Sequence, residues 1–408
     1  MVSCAMTDKE RTSTEGFVIK KRCNNWHEKS YAKCVMEFIV MGQLFTVHFL
    51  FGLLPFCINI FLFYSSLKYL NILMLYKFDF GIPVIPTDSG PLERIILTVL
   101  IGLAALYVVY WVSDREAENR GGHLRPWLRR LPMWKYAVDY FPIQLILSKE
   151  LCAHSKADPK LSHAKEIILG SDFYGLATDR NYLVGYHPHG ITALGSFLNF
   201  VTNATGFPRA FPGINPWLAI HKAHFLSAFY REWFLSIGAI PATREAILYL
   251  LDSNKCHKTG NLVVVVLGGG AEIMEAHSGR YVMCTSRRFG FFKLALQTGS
   301  SLIPCISFGE PNMYEQIKNE RGSWIRFVQD WIERLLTIPV TVFYARGPIP
   351  YRTPINTVVG APISCEQTEN PTREQIKELK QRYLDSLRNL FYRYKGTYDP
   401  SAGDIEFI

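Results

Sequence analysis

Two long uncharged apolar segments constrain the fold of this 408-residue chain more than any other feature. Residues 38–67 contain no charged side chain, and residues 95–113 repeat the pattern. A helix needs about 20 apolar residues to cross a bilayer, so each segment is long enough to do so. Pro55 lies inside the first segment, which predicts either one tilted helix or a broken, re-entrant one. Two buried core helices are the alternative, although such long runs are unusual in a core.

The distribution of Lys and Arg predicts the orientation of this hairpin. Both residue types are frequent before residue 38 and after residue 113, whereas only Lys68, Lys77 and Arg94 lie between the segments. Because cytosolic flanks carry the excess of positive residues, both termini are predicted to be cytosolic. The amino-terminal segment is polar, unlike a cleaved secretory signal. The predicted organisation is a polar cytosolic tail (1–37), a transmembrane hairpin (38–113) and a cytosolic domain (114–408).

Net charge and cysteine content indicate a membrane-associated protein in a reducing compartment. The formal charge is +9. With two apolar segments present, an anionic membrane surface or a phosphorylated ligand explains this charge better than nucleic acid does. The nine cysteines are scattered without a Cys-x-x-Cys pair, which argues against a disulfide framework and against a zinc ribbon.

Short apolar runs bounded by Gly or Pro predict an α/β domain with strands covered on both faces. The predicted strands are 182–186, 262–267, 302–308 and 339–345. The predicted helices are 245–253, 288–298, 323–336 and a last one that begins after Thr372. Thr372 and Gln375 form a capping box there. Residues 125–148 mix Trp, Tyr and Arg with aliphatic residues, which predicts either a helix in the headgroup region or an amphipathic core helix.

The segment "GYHPHGI" (185–191) carries two histidines around a proline and has three explanations. In an extended segment His187 and His189 would point to one side, as two metal ligands do, but Pro188 favours a loop at the end of a strand. A zinc site needs a third ligand, and the histidines of "HKAH" (221–224) match no metal-binding spacing. Imidazoles that serve only local hydrogen bonds are the second explanation. The third, a general base exposed at the end of a strand, is our prediction.

A glycine run follows one predicted strand and precedes a carboxylate. In "LVVVVLGGGAE", Gly268, Gly269 and Gly270 permit close backbone approach and leave amide donors free. Glu272 then stands near the carboxyl end of the strand, where α/β sheets usually form their sites. The run matches neither a Walker loop nor a dinucleotide-binding fingerprint, so a tight turn without further function is the alternative.

A basic aromatic segment and two missing signatures narrow the chemistry further. "SRRFGFFK" (286–293) places Arg288 and Lys293 beside three phenylalanines. These cations could bind phosphates and the rings an acyl chain or an adenine, and a solvated basic helix face is the alternative. The chain has no Gly-x-Ser-x-Gly elbow, which argues against an α/β-hydrolase. Neither His187 nor His189 begins a His-x4-Asp pair.

Several ordered motifs resemble those of the acyl-CoA:diacylglycerol acyltransferase type 2 family, which also holds monoacylglycerol and wax-alcohol acyltransferases. The motifs are "YFPIQL" (140–145), "GYHPHGI" (185–191), "FPGI" (211–214), "SIGAIPATREAI" (236–247), "GGGAE" (268–272), "RFGFFKLALQTGSSLIPCISFGE" (288–310) and "VVGAPI" (358–363). Two departures stand out. The polar stretch between Lys149 and Thr178 is longer than expected for the family, and its Phe-Leu-x-Leu motif for neutral lipids is absent, "FLFY" (61–64) failing at the fourth position.

The resemblance implies a fold and a reaction. The fold is a membrane hairpin joined to a mixed-sheet domain like that of the glycerol-phosphate acyltransferases. The reaction moves a fatty acyl group from acyl-CoA to the hydroxyl of diacylglycerol, with acyl-CoA as co-substrate and neither a cofactor nor a metal. The implied location is the membrane of the endoplasmic reticulum and the surface of lipid droplets. The acceptor could also be a monoacylglycerol or a fatty alcohol, and the oligomeric state, homo-oligomers included, is left open.

The resemblance also suggests roles for individual residues. We expect His189 to be the base, because family members that read Glu-Pro-His-Ser keep only the second histidine. His187 would fix the loop or orient the reacting group, and Glu272 would hold the tautomer of the base. Amides of the glycine run would bind the developing oxyanion. The remaining predicted substrate-binding residues are Gly190 in the histidine motif and, for the phosphates of CoA, Arg244, Arg288 and Lys293.

Two other classes of function compete with acyl transfer. A metal-dependent lipid hydrolase would use His187 and His189 as ligands. A non-catalytic hairpin protein would only bind lipid droplets or shape membranes.

Overall fold

The structure is a computed structural model that describes residues 17–18, 33, 35–37, 39–41, 91–157, 175–226, 230–336, 339–346 and 349–408. Its α-helices are α1 (Pro91–Ser113), α2 (Met133–Tyr140), α3 (Lys149–Ala157), α4 (Leu194–Ser196), α5 (Phe207–Ala210), α6 (Tyr230–Ile237), α7 (Arg244–Leu251), α8 (Ser253–Cys256), α9 (Gly270–Met274), α10 (Phe289–Thr298), α11 (Trp324–Leu336) and α12 (Arg373–Tyr398). The strands are β1 (Phe17–Val18), β2 (Gln144–Leu147), β3 (Tyr182–His187), β4 (Asn215–Ile220), β5 (Ala239–Pro241), β6 (Asn261–Val266), β7 (Tyr281–Met283), β8 (Ser301–Phe308), β9 (Glu315–Gln316), β10 (Phe343–Tyr344), β11 (Asn356–Val359) and β12 (Ile405–Phe407). Short 3₁₀ and π turns occupy Arg115–Arg120, Leu128–Arg130, Phe197–Val201, Lys222–Phe225 and Glu310–Met313.

Eight strands form one mixed sheet in the order β1-β2-β11-β8-β3-β6-β4-β5. The five strands from β8 to β5 are parallel, β11 runs antiparallel to β8, and β2 pairs with β11 in parallel. This arrangement confirms the predicted α/β class with a mixed sheet. Because β8, β3 and β6 are parallel neighbours, the segments that follow them emerge side by side at one edge of the sheet.

Side chains alternate along β3 and enter a different core on each face of the sheet. Tyr182, Val184 and Tyr186 pack in one core with Trp134 and Phe200. Leu183 packs in the other core, which includes Phe292 of α10 and Tyr383 of α12. Burial on both faces explains why the central strands read as uninterrupted apolar runs.

Three of the four predicted strands are confirmed and the fourth is wrong. The predicted strands 182–186, 262–267 and 302–308 correspond to β3, β6 and β8. In the fourth, 339–345, only β10 is extended, and it pairs with β9 outside the main sheet. Both residues of β10 are exposed, so the apolar run there is not a core strand. Five strands of the main sheet were not predicted, namely β1, β2, β4, β5 and β11.

The predicted helices are confirmed, but residues 125–148 do not form one helix. The capping box of Thr372 and Gln375 is present at the start of α12. In residues 125–148, α2 lies between Pro132 and Pro142, and β2 follows. A proline cannot continue a helix because it lacks the backbone N–H donor. Trp134 of α2 is buried in the protein core. The interfacial-helix interpretation of this segment is therefore wrong, and the core-helix interpretation is confirmed only over α2, whose Ala137 and Val138 are also buried.

The predicted membrane hairpin falls mostly on residues that the structure does not describe. Residues 42–67 of the first segment lie outside the described residues, and α1 covers the second. Among the described residues no helix is both long enough and apolar enough to cross a membrane. Within the long polar stretch 150–178, residues 158–174 lie outside the described part of the chain. The hairpin and the domain boundaries stay predictions.

Candidate active site

The His-Pro-His-Gly turn begins where β3 reaches the edge of the sheet. The strand ends at His187, and Pro188 follows through a cis peptide bond. His187 is buried and faces the core that contains Tyr383, whereas His189 lies beyond the strand and is half-buried. The two imidazoles therefore occupy different environments.

Both ring nitrogens of His187 are occupied by protein groups. Its Nδ1 lies 3.2 Å from Oε1 of Glu272, and its Nε2 lies 3.2 Å from the hydroxyl oxygen of Tyr383. The Tyr383 hydroxyl is also 3.1 Å from the carbonyl oxygen of Gly185. Neither ring nitrogen of this buried imidazole is therefore available to contact a substrate or a metal in this structure.

His189 has the arrangement of a general base. Its Nδ1 lies 3.1 Å from the carbonyl oxygen of Gly190, which can only accept, so Nδ1 carries the proton and Nε2 carries the lone pair. Burial lowers the pKa of His189 below its ordinary value, and the nearby charge of Glu272 opposes this shift without cancelling it. The imidazole is therefore neutral at pH 7. The carbonyl of Gly190 fixes the tautomer of His189, and the predicted contact of Gly190 with substrate stays a prediction.

Glu272 is a buried carboxylate that ties the turn to the glycine run. It accepts hydrogen bonds from the backbone N–H of His189 (2.8 Å) and from that of Cys284 (2.9 Å). We predicted that Glu272 would hold the tautomer of the base. That prediction is wrong in its geometry, because Glu272 contacts the ring of His187 and only the backbone of His189.

The glycine run makes room for this carboxylate. A Cβ on Gly268 would overlap the carboxyl group of Glu272, so a side chain there would displace it. The N–H of Gly269 donates to the carbonyl of Val266 (3.2 Å) and closes a turn. Arg288 donates a hydrogen bond from Nη2 to the carbonyl oxygen of Gly268 (2.6 Å), which links the glycine run to the start of α10.

Comparison with known proteins identifies the family. The family model described as diacylglycerol acyltransferase matches residues 94–157 and 167–407. The chain belongs to the diacylglycerol acyltransferase family. It is 38% identical to 2-acylglycerol O-acyltransferase 1 of Mus musculus over 72% of this chain and 81% of that protein. It is 37% identical to diacylglycerol O-acyltransferase 2 of Danio rerio (75% and 79%) and 36% identical to that of Homo sapiens (72% and 70%). No solved structure matches the chain.

Two of the cations predicted to bind CoA phosphates lie at the start of α10 in this acyltransferase, and the third, Arg244, is the first residue of α7. Arg288 precedes the helix beside the glycine run, Lys293 is exposed one turn into it, and Arg244 donates to Gln297 near its end (3.3 Å). Nine residues of helix separate Arg288 from Gln297, which corresponds to about 14 Å. The structure therefore brings Arg288 to the site and places Arg244 well away from it.

Sequence reasoning missed Glu310, a second buried carboxylate behind the histidine turn. Burial raises its pKa to about 7. Tyr186 donates its hydroxyl to Glu310 (3.0 Å), and the N–H of Gly195 donates to the same oxygen (3.2 Å). A Cβ on Gly190 would lie 2.9 Å from Cγ of Glu310, so the Glu310 side chain packs directly against the His-Pro-His-Gly turn. The signal was present, since "FGE" follows the predicted strand 302–308 at the same edge of the sheet.

The described residues of this acyltransferase form no cluster that could hold a metal ion, and the cysteine that contacts Glu272 is not activated as a nucleophile. They contain no group of three His, Cys, Asp or Glu side chains that could hold a metal ion. His221, once considered as a third ligand, uses Nδ1 to accept the N–H of Ala223 (3.3 Å). Burial raises the pKa of Cys284, the cysteine nearest Glu272 in these contacts, to about 12, so it stays a thiol at neutral pH.

Proposed function

We propose that the protein transfers a fatty acyl group from acyl-CoA to the free hydroxyl of diacylglycerol, forming triacylglycerol. Family membership supports this reaction class. The observation that carries the proposal is the neutral imidazole of His189, whose Nδ1 is held by Gly190 and whose Nε2 lone pair is directed away from that bond. Such an atom at the edge of the sheet can remove a proton from an alcohol.

The transfer requires one base and one oxyanion site. Nε2 of His189 takes the proton of the acceptor hydroxyl while that oxygen attacks the thioester carbonyl. The tetrahedral intermediate collapses, the carbon–sulfur bond breaks, and the CoA thiolate takes the proton from His189. A thiol with a pKa near 8.5 leaves readily, so no covalent acyl-enzyme is needed. The Gly270 amide, which donates to no acceptor among the described residues, is a candidate for the oxyanion site.

Glu272 and His187 act as positioning residues in this proposal. Glu272 holds the backbone of His189, and His187 holds Glu272 from the side of the core. Arg288 and Lys293 are the cations best placed for the phosphates of CoA, whereas Arg244 would have to act at a distance. Acyl-CoA is a co-substrate here and the residues call for no separate cofactor.

Two other acceptors belong to the same reaction class. The relatives include both 2-acylglycerol and diacylglycerol acyltransferases at similar identity, which supports monoacylglycerol as an alternative acceptor. Fatty alcohol is an alternative from the family resemblance alone. A metal-dependent lipid hydrolase is disfavoured, because His187 has no free ring nitrogen to offer a metal. The apolar segments 38–67 and 95–113 and their basic flanks support a multi-pass membrane location with both termini cytosolic. A location in the endoplasmic reticulum with access to lipid droplets is proposed from the family resemblance.

One experiment separates these functions. Microsomes that contain the protein are incubated with labelled oleoyl-CoA and diacylglycerol, monoacylglycerol or a fatty alcohol, and the lipid products are resolved. We expect labelled triacylglycerol with diacylglycerol as acceptor, and we expect His189→Ala to remove it. His257→Ala, at a surface histidine, is the matched control. Release of free oleate without transfer to any acceptor would contradict the proposal, and so would full activity of His189→Ala.

A further inference from the structure

Helix α11 exposes its apolar side chains, which is the reverse of an ordinary surface helix. Trp324, Phe327, Val328, Trp331 and Leu335 recur at helical spacing, so they form one stripe. Every one of them is exposed, and Trp324 keeps 75% of its surface accessible. Helix α12 shows the ordinary pattern, with its apolar stripe in the core.

The opposite side of α11 is polar and packs on the protein. Arg326 is buried and forms an ion pair with Glu275 (3.0 Å). Gln329, also buried, accepts a hydrogen bond from Asn319 (3.0 Å). Burying these polar groups while leaving two tryptophans in water would be unfavourable if water were the only neighbour of the stripe.

The apolar surface continues into the segment that follows the helix. Val340, Val342, Phe343 and Tyr344 are exposed as well, and we call them, together with the exposed stripe of α11, the outer face. Contiguous apolar surfaces of this kind mark interaction sites. The exposed charges close to the outer face in the chain are mainly positive: four cations, Lys318, Arg321, Arg334 and Arg346, against one exposed acid, Glu320.

We propose that the outer face docks on a phospholipid surface. Trp and Tyr are the side chains that favour the boundary between headgroups and acyl chains, and this face carries two Trp and one Tyr. Arg334 borders the stripe, where its long side chain can reach phosphates while its stem covers lipid. The flanking positive charges complement anionic headgroups. The choice of lipid as the occupant rests on the proposed function, because the acceptor itself is dissolved in a membrane.

The buried side of α11 connects this surface to the active site. Arg326 pairs with Glu275 beyond the end of α9, and Asn319 donates to the carbonyl of Met274 (2.9 Å). An oxygen of Glu333 lies 3.0 Å from the position of a Cβ on Gly270. A helix is about 10 Å across, so lipid on the outer face brings the glycine run within roughly that distance of the headgroups.

Photolabelling of the full chain tests the contact without requiring turnover. The protein is reconstituted in phosphatidylcholine vesicles with a minority of phosphatidylserine and a trace of a diazirine phospholipid, and the labelled peptides are mapped by mass spectrometry. We expect label on residues 324–335 and 340–344 in excess of the label at Tyr392, an exposed aromatic residue of α12. Label no higher than at Tyr392 would overturn the proposal. Cross-links from the outer face to residues 38–67 or to a second copy, formed by a protein-to-protein cross-linker in the same vesicles, together with absence of lipid label, would overturn it too.

A pair of substitutions tests the consequence for catalysis. Phe327→Glu with Trp331→Glu puts charge on exposed positions, so the fold should be retained. We expect triacylglycerol synthesis from long-chain diacylglycerol in vesicles to fall on the order of tenfold, with dioctanoylglycerol, dispersed in water, used as well as by the unchanged protein. Tyr392→Glu should change neither rate. Equal loss on both acceptors would contradict an interfacial role. Absence of synthesis by the unchanged protein would count against the proposed function alone, since the labelling pattern does not depend on it.

Discussion

Nδ1 of His187 lies 3.2 Å from Oε1 of Glu272, and the same carboxylate accepts the backbone N–H of His189 through its other oxygen. The two histidines of one short motif are therefore linked through an acid that is 83 residues further along the chain than His189. The ring of His187 is engaged in this link, whereas Nε2 of His189 is left free to react. The two histidines differ in this way because His187 lies inside β3 and His189 lies beyond it.

Glu272→Gln should weaken the site although glutamine is uncharged and has nearly the same size as glutamate. The carboxylate accepts three donors, and an amide presents an N–H₂ group to at least one of them. We expect triacylglycerol synthesis to fall roughly 10- to 100-fold, with a stability loss of about 1–3 kcal/mol. Rates on diacylglycerol and thermal unfolding in detergent measure the two effects. Glu378→Gln, at an exposed acid of α12, is the control, and full activity of Glu272→Gln would contradict the positioning role.

The rate should depend on pH as a neutral base of lowered pKa requires. His189 works only when unprotonated, and its pKa lies below the ordinary 6.5. The rate constant for transfer should therefore fall on acidification, with the midpoint of the decline below pH 6.5. A rate that already halves at or above pH 7 would show that another group controls the step.

The free energy of unfolding should also depend on the protonation of His189, and it should decrease on acidification as the transfer rate does. The unfolded chain binds a proton at His189 more tightly than the folded chain, so folding stability from this residue is complete above pH 6.5 and declines as the pH falls to the folded pKa. His189→Gln should reduce this decline. Unfolding midpoints measured in detergent between pH 5 and pH 8 provide the test.

Gly268→Ala should damage the site through a single methyl group. A Cβ at this position overlaps the carboxyl of Glu272, so the carboxylate must move and lose its backbone donors. We expect at least a tenfold loss of transfer rate, in the range that displacement of a positioning group produces. Gly396→Ala is a matched control, because a Cβ on that helical glycine meets no atom within 4 Å and the change should stabilise α12 slightly. Equal rates in the two variants would refute the packing argument.

Glu310→Gln should alter stability in a pH-dependent way. The pKa of this buried acid is raised from about 4.5 to about 7, so the folded state holds its proton more tightly than the unfolded state. Stability from this group is greatest below pH 4.5 and is lost as the pH rises to about 7, by on the order of 3 kcal/mol. The glutamine variant should lose that dependence. Thermal unfolding at pH 5 and pH 8 measures it, and an unchanged slope would contradict the assignment.

Much of the site was visible in the sequence because it is made of consecutive residues at strand ends. The turn at residues 187–190 and the run at 268–272 each follow an apolar run, and parallel strands bring their carboxyl ends to one edge. Strands β1, β2, β4, β5 and β11 escaped prediction because they are short or contain polar and proline residues. The role of Glu272 was misjudged because spacing does not show whether a carboxylate reaches a ring or a backbone amide.

Glu310 and Tyr383 were missed for different reasons. Glu310 follows a predicted strand and could have been found by the argument that located Glu272. Tyr383 belongs to the apolar stripe of α12, and its sequence position predicts a core residue, which it also is. Only its hydroxyl distinguishes it, and the hydroxyl matters because α12 lies across β3.

The sequence by itself determined the class of the fold, the family, and the edge of the sheet that carries the chemistry, since strand period, proline, glycine and motif order are local properties. The tertiary structure decided which histidine is free, what holds its tautomer, and which side of α11 faces outward. These depend on contacts between residues far apart in the chain, such as Glu272 with His187 and Arg326 with Glu275. Hydrophobic pattern predicts that a helix has two faces, but only packing determines which of them is buried.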